Sequence, residues 1–256
     1  MKFALDNNGE RIFPAKGLRG RCELCGSELI AKCGPKNIDH WAHKSKLGCD
    51  PWWENETDWH RNWKNVFPDH WQEITHRDSN GEKHRADVKT DEGWIIEFQH
   101  SPIKPEERQA RNNFYRSLIW VVDGTKRKND FKQFQERINE GSLLFRDPKF
   151  LEIFELDECR LILEWHDINA LIFFDFNDPE SDDEACLWFL FPKTSNRMGH
   201  VVRIKRTVFI NWFITNQFSD VVKESIIPLH KEMLLEAKRT GVMQHNTIKK
   251  SLEYFR

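Results

Sequence analysis

Arg85-Ala86-Asp87-Val88-Lys89-Thr90-Asp91-Glu92-Gly93-Trp94-Ile95-Ile96-Glu97-Phe98-Gln99 reads as a strand, a tight turn and a second strand. Side chains alternate along a strand. Ala86 and Val88 therefore share one face and Asp87 takes the other, while Ile96 and Phe98 oppose Glu97 and Gln99. The Asp91-Glu92-Gly93 turn folds the two strands together. Asp87 and Glu97 are then expected to converge, and paired carboxylates bind a hard divalent cation, Mg²⁺ or Mn²⁺, through oxygen. Taken alone, an Asp-turn-Glu hairpin is more often a solvated surface, so the flanking elements decide its meaning.

Upstream, Trp52, Glu56, Trp59, His60, Trp63 and Val66 recur at helical spacing over 52–66, and Pro68 stops the helix. Trp71–His76 and Glu82–Thr90 are strands about an Asp78–Gly81 turn. Downstream, Pro105 opens a helix to about Arg116, with Glu106 and Glu107 at its positive end. Ser117–Val122 is an apolar strand. The order is α-β-β-β-α-β, and the second helix is a crossover, which predicts a parallel pair of strands. Glu56, His60 and Lys64 fall one turn apart on one helical face. Glu56 offers a third carboxylate, His60 a group to orient a phosphate or water or to relay a proton. A plain salt-bridged solvent face has the same spacing.

Residues 1–50 are Gly-punctuated and poor in apolar residues. Cys22-x-x-Cys25 and His40-x-x-His43 offer two thiolates and two imidazoles, a tetrahedral set suited to Zn²⁺. Four protein ligands leave no open position, so the expected zinc is structural. Cys33 and Cys49 are alternatives to a His. Three parts are expected: a zinc-finger-like segment at 1–50, an α-β-β-β-α-β core at 51–125 and an α+β region at 126–256. In the last, Lys126–Gly141 reads as a helix, and Arg160–Trp165, Leu171–Phe176, Leu187–Phe191 and Val201–Lys205 as a meander. An acidic loop at Asn177–Glu184 and helices near Thr207–Thr215 and Asp220–Thr240 complete it. The fold class is mixed α/β.

The 256 residues are 39% hydrophobic and 31% charged, the range of a globular protein. No run of about 18 apolar residues and no leader is visible, so no membrane partner and a cytoplasmic location are expected. In that setting the six cysteines read as metal ligands or free thiols rather than disulfides. The net charge of −2 hides an acidic stretch at 152–184 and a basic lean from Arg197 onward. That asymmetry permits a phosphate-binding face, or is simply two solvated surfaces.

Together these motifs resemble the competence protein CoiA-like family, nucleases of the PD-(D/E)XK type. The similarity runs from Ala4-Leu5-Asp6…Gly9 through Cys22-x-x-Cys25 and His40-Trp41-Ala42-His43. It continues through Glu56-x-x-x-His60-x-x-x-Lys64, Arg85-Ala86-Asp87-Val88 and Glu97-Phe98-Gln99-His100-Ser101-Pro102-Ile103 to Arg111-x-x-x-Tyr115. It covers roughly residues 1–125. The resemblance implies a restriction-endonuclease-like core that hydrolyses DNA with Mg²⁺ or Mn²⁺. Glu56, Asp87 and Glu97 would be metal ligands, Glu56, His60, Asp87, Glu97 and Gln99 the catalytic set. Lys64, Arg85, Ser101, Arg111 and Tyr115 would face substrate. It also implies a link to DNA uptake, recombination or defence against foreign DNA. Trp41 and Thr57 depart from the family's Phe and Ser. Gln99 stands where the superfamily has lysine and can orient water but carries no charge, leaving Lys64, Arg85 or Lys89 to meet transition-state charge. Two other classes stay open: a silent zinc-containing nucleic-acid-binding protein, and a protein that recruits partners through 126–256.

Overall fold

The computed structural model describes residues 1–35, 37–45, 49–52, 56–166, 170–177, 185–194, 198–238 and 255. The chain is mixed α/β and divides into two compact units, Met1–Lys89 and Thr90–Arg256. The division falls inside the stretch 51–125 expected to form one core.

The first unit begins with five short strands, β1 (Ala4–Leu5), β2 (Arg11–Ile12), β3 (Arg19–Arg21), β4 (Glu28–Gly34) and β5 (Asn37–His43). They pair antiparallel in the order β2-β1-β3-β4-β5. One face carries a small core of Ala4, Cys22, Leu24, Leu29 and Trp41. Gly20 belongs to this face because a Cβ there would lie 2.7 Å from the Ala4 Cβ and 3.1 Å from the Leu5 carbonyl oxygen. Such a core is small for an independent fold, which suits a segment braced by metal.

Helix α1 spans Asp58–Asn65. The sequence predicts a helix over 52–66, but Thr57 caps the chain: its Oγ1 accepts the His60 amide at 3.3 Å, and the helix starts after it. Glu56 therefore precedes the helix instead of sharing a helical face with His60. Residues 53–55 of the expected helix lie outside the described residues. Strands β6 (Gln72–Arg77) and β7 (Lys83–Lys89) form an antiparallel hairpin. Its turn is held by Asp78, whose Oδ1 accepts the amides of Asn80 at 2.9 Å and Glu82 at 2.8 Å. Along β7, Ala86 and Val88 are buried and alternate with Arg85 and Asp87, as the pattern predicts.

The second unit contains β8 (Ile95–Gln99), α2 (Pro105–Phe114), β9 (Leu118–Asp123), α3 (Asp130–Glu140), β10 (Ser142–Phe145), β11 (Phe150–Phe154), α4 (Arg160–Trp165), β12 (Leu171–Asp175), β13 (Cys186–Leu190) and β14 (Met198–Lys205). Its strands follow the order β10-β11-β14-β13-β12-β9-β8. The crossover through α2 leaves β8 and β9 parallel, as expected, and β9 and β12 are parallel too. Every residue of β8 and β9 is buried, the pattern of strands covered on both faces. Helices α5 (Arg206–Ile214), α6 (Phe218–Val221) and α7 (Ile227–Lys238) follow, with a π-helical turn at Val222–Ile226.

Two expectations fail here. Arg160–Trp165 is a helix, not a strand of the meander. Leu161, Ile162 and Trp165 are buried while Leu163 is 55% exposed, which is one helical face and not a strand's alternation. Strands β10 and β11 were not anticipated at all. The segments 178–184 of the acidic loop and 239–240 of the last helix lie outside the described residues.

Candidate functional site

The zinc expectation meets a four-residue cluster in the first unit. One ligand atom from each of Cys22, Cys25, His43 and Cys49 lies within 4.8 Å of every other. Cys22 Sγ and Cys49 Sγ are 3.6 Å apart, and Cys25 Sγ is 3.3 Å from His43 Nε2. A tetrahedral zinc with ordinary bond lengths sets ligand spacings of about 3.8 Å for two sulfurs and about 3.6 Å for sulfur and nitrogen. The donor set and its spacing fit a metal such as zinc with all four positions filled by protein.

His40 is not among these ligands, and Cys49 takes its place. A strand explains why. His40 and His43 are both on β5, three residues apart, so their side chains leave opposite faces. His43 joins the face of Leu29, its cross-strand partner, and reaches the cysteines. His40 pairs across with Lys32 on the other face, where its Nδ1 lies 2.8 Å from the Ile38 carbonyl oxygen. Asp50 pins the chain next to Cys49, with its Oδ2 accepting the Arg85 amide at 2.9 Å and its Oδ1 2.9 Å from His84 Nδ1.

The electrostatics favour a thiolate at Cys25 and oppose one at Cys49. Partial burial works against charge on Cys25, but hydrogen bonds from the Ser27 hydroxyl and amide, with Cys49 and His43 beside it, lower its thiol to about 6. Burial, and then the neighbouring Cys25 and Cys22, push the Cys49 thiol up. A bound cation relieves that crowding of sulfurs. Arg85 Nη2 donates to Cys22 Sγ at 3.3 Å, so this guanidinium serves the clip.

A second cluster in the same unit gathers charged side chains. His60 Nε2 lies 2.8 Å from Asp87 Oδ2. Lys64 Nζ is 2.7 Å from Glu73 Oε1 and 2.5 Å from Glu56 Oε1, and Arg61 also pairs with Glu56. Lys64 is held above its ordinary value: burial opposes the charge, but Glu73 and Glu56 outweigh it. Burial would raise the Glu73 carboxyl, yet Lys64 and Arg85 hold it well below its usual range. Glu56 is lowered in the same way, against burial, by Lys64 and Arg61. Glu73 also accepts the Lys2 amide at 2.8 Å through each of its two oxygens. Its backbone lies at φ +52°, a left-handed conformation uncommon for Glu. Glu73 was missed in the sequence. Its only local signal is a charged residue following Gln72 at the start of an otherwise ordinary strand.

In the second unit, Glu97 and Gln99 are buried on β8. Arg111 Nη1 donates to Glu97 Oε2 at 2.9 Å, and its Nε donates to Glu107 at 3.1 Å, so Arg111 serves the carboxylate. Gln99 Nε2 donates to the Ser101 carbonyl oxygen at 2.7 Å. Tyr115 is 1% exposed and packs edge-on against Phe114, a core position. His100 lies with Nδ1 2.6 Å from the buried Asp123 carboxylate and Nε2 3.0 Å from Lys126 Nζ. Parallel register explains that pair, because Gln99 sits beside Val122 and the next residues follow in step. Asp87 thus belongs to the first unit and Glu97 to the second.

No family model, curated protein or solved structure matches this chain. No helix among the described residues is long and apolar enough to cross a membrane.

Proposed function

We propose that this chain is a metal-dependent nuclease that hydrolyses phosphodiester bonds of DNA, with a structural zinc in its N-terminal segment. The observation that carries the reading is the His60–Asp87 pair, 2.8 Å apart, joining the helix and the strand to which the motifs assign catalysis. The element order α1-β6-β7-β8-α2-β9 and the ordered likeness to CoiA-like nucleases support it. A Mg²⁺ or Mn²⁺ ion, when bound, supplies a more acidic water and polarises the phosphoryl oxygens. Asp87 and Glu56 are the carboxylates of the first unit assigned to that ion. His60, 2.8 Å from Asp87, is the group this reading assigns to orient that carboxylate and to pass a proton. Lys64, tied to Glu56 and Glu73, holds positive charge beside them. Glu97 and Gln99 of the second unit are tested separately, by cleavage with Glu97→Ala and with Gln99→Ala.

One observation favours a second reading, a zinc-bearing nucleic-acid-binding chain that does not cut: Glu56 is ion-paired with both Arg61 and Lys64. The discriminating experiment incubates the zinc-loaded chain with single- and double-stranded DNA and with RNA, with Mg²⁺, with Mn²⁺ and with neither. Ion-dependent DNA cleavage is the expected result. Binding without cleavage under every condition would establish the second reading instead.

A further inference from the structure

We infer that the face of the N-terminal sheet opposite the metal cluster is a binding surface for the phosphate backbone of a nucleic acid. The registers build this face row by row. Arg21 of β3 lies across from Glu28 of β4, and Lys44, just past β5, donates its amide to the Glu28 carbonyl oxygen. In the next row Arg19 faces Ile30, and Ile30 faces Ala42. In the third, Lys32 of β4 faces His40 of β5. Alternation sends Gly20, Leu29, Trp41 and His43 to the core and the metal. It sends the basic residues to solvent.

The face is open and its charge is one-sided. Arg21 and Lys32 are exposed, and the Arg19 and Lys44 side chains are 67% and 56% exposed. On these three strands Glu28 is the carboxylate of that face, and it is shared, with Arg19 Nη1 at 2.5 Å and Lys44 Nζ at 2.8 Å. Arginines two apart on β3 stand about 7 Å from each other, and neighbouring strands about 5 Å. A grid of cations at that spacing, around the small side chain of Ala42, fits a polyanion laid across the strands. His40, the histidine that the metal does not use, adds a hydrogen-bonding group to the same face. The whole protein has a net charge of −2, so the attraction is local to this sheet. The surface deepens the nuclease reading and rests on it for the choice of polyanion, but it requires no cleavage.

The test measures binding of labelled DNA and RNA oligonucleotides by fluorescence anisotropy, using the zinc-replete full chain with no Mg²⁺ or Mn²⁺ added. Arg21→Gln/Lys32→Gln is expected to weaken binding about tenfold or more. It should also flatten the dependence of log affinity on log salt by about 1.8 for duplex or about 1.4 for single strands. Arg21→Lys/Lys32→Arg should restore both, and Glu28→Gln should tighten binding. DNA and RNA competing alike assign the contact to phosphate; a preference for one assigns which nucleic acid the face serves. An unchanged affinity and salt slope in the Gln pair, with zinc content intact, would overturn the inference. Binding to anionic lipid vesicles without binding to any oligonucleotide would overturn it as well. Loss of cleavage with this binding intact counts only against the nuclease reading.

Discussion

Replacing Glu73 with Gln tests whether the buried charges of the first unit act as one network. Lys64 Nζ and Glu73 Oε1 are 2.7 Å apart, with side chains only 4% and 5% exposed. At an effective dielectric of about 20, that separation corresponds to about 6 kcal/mol of attraction. Glu73→Gln keeps the shape and one acceptor oxygen but removes the charge. Lys64 retains Glu56 at 2.5 Å, so part of the attraction survives. Breaking a buried pair costs about 3–5 kcal/mol, and the retained partner places this variant near the lower end, about 3 kcal/mol. Urea denaturation of the zinc-loaded chain, read by tryptophan fluorescence, gives the value. Lys64→Met and the double variant close the cycle, with an expected coupling of about 2 kcal/mol. A loss below about 1 kcal/mol, with additive effects, would refute the network and class the pair with surface ion pairs. Glu28→Gln, on the exposed sheet face, serves as the control and should leave the midpoint where it is.

Elemental analysis should find about one zinc per chain; Cys49→Ser should lose it and His40→Gln should keep it, and the reverse would restore His40 as the ligand. Acid should destabilise the first unit. The Glu73 and Glu56 carboxyls are depressed when folded, so their contribution is complete above the unfolded value of about 4.3 and is lost as pH falls through the lower folded values. Denaturation midpoints measured below about pH 5 should therefore fall less steeply in Glu73→Gln than in the parent chain; parallel curves would assign the acid sensitivity elsewhere. Gly20→Ala forces a methyl to 2.7 Å from the Ala4 Cβ, and should cost about 1–3 kcal/mol in the same urea assay.

Periodicity made much of the fold legible. The alternation Ala86-Asp87-Val88 and the all-apolar run Leu118–Val122 survive intact in β7 and β9. Arg160–Trp165 misled because its six residues are too few to tell a strand from a helical face, and only the burial of Leu161, Ile162 and Trp165 separates them. Strand β10 is short and leaves Leu143 half exposed, so no alternation announces it. In the site, Cys22-x-x-Cys25 was readable because a turn brings both sulfurs to one place. The His40-x-x-His43 spacing suits a helix, where residues three apart are neighbours; on β5 it splits the pair. Glu73 was invisible for a different reason. Its partners Lys2 and Lys64 are brought to it by the fold, from 71 and 9 residues away.

Cleavage by Asp87→Asn against the parent chain decides whether the Asp87 carboxylate takes part in catalysis. Both proteins carry their zinc, verified by elemental analysis, and are given the same DNA with saturating Mn²⁺ or Mg²⁺ under single-turnover conditions. Catalysis through Asp87 predicts cutting by the parent and a loss of about a hundredfold or more in the variant, the size of a lost metal contribution of several kcal/mol. Equal cutting by the two proteins, or no cutting by the parent with either ion, would contradict it.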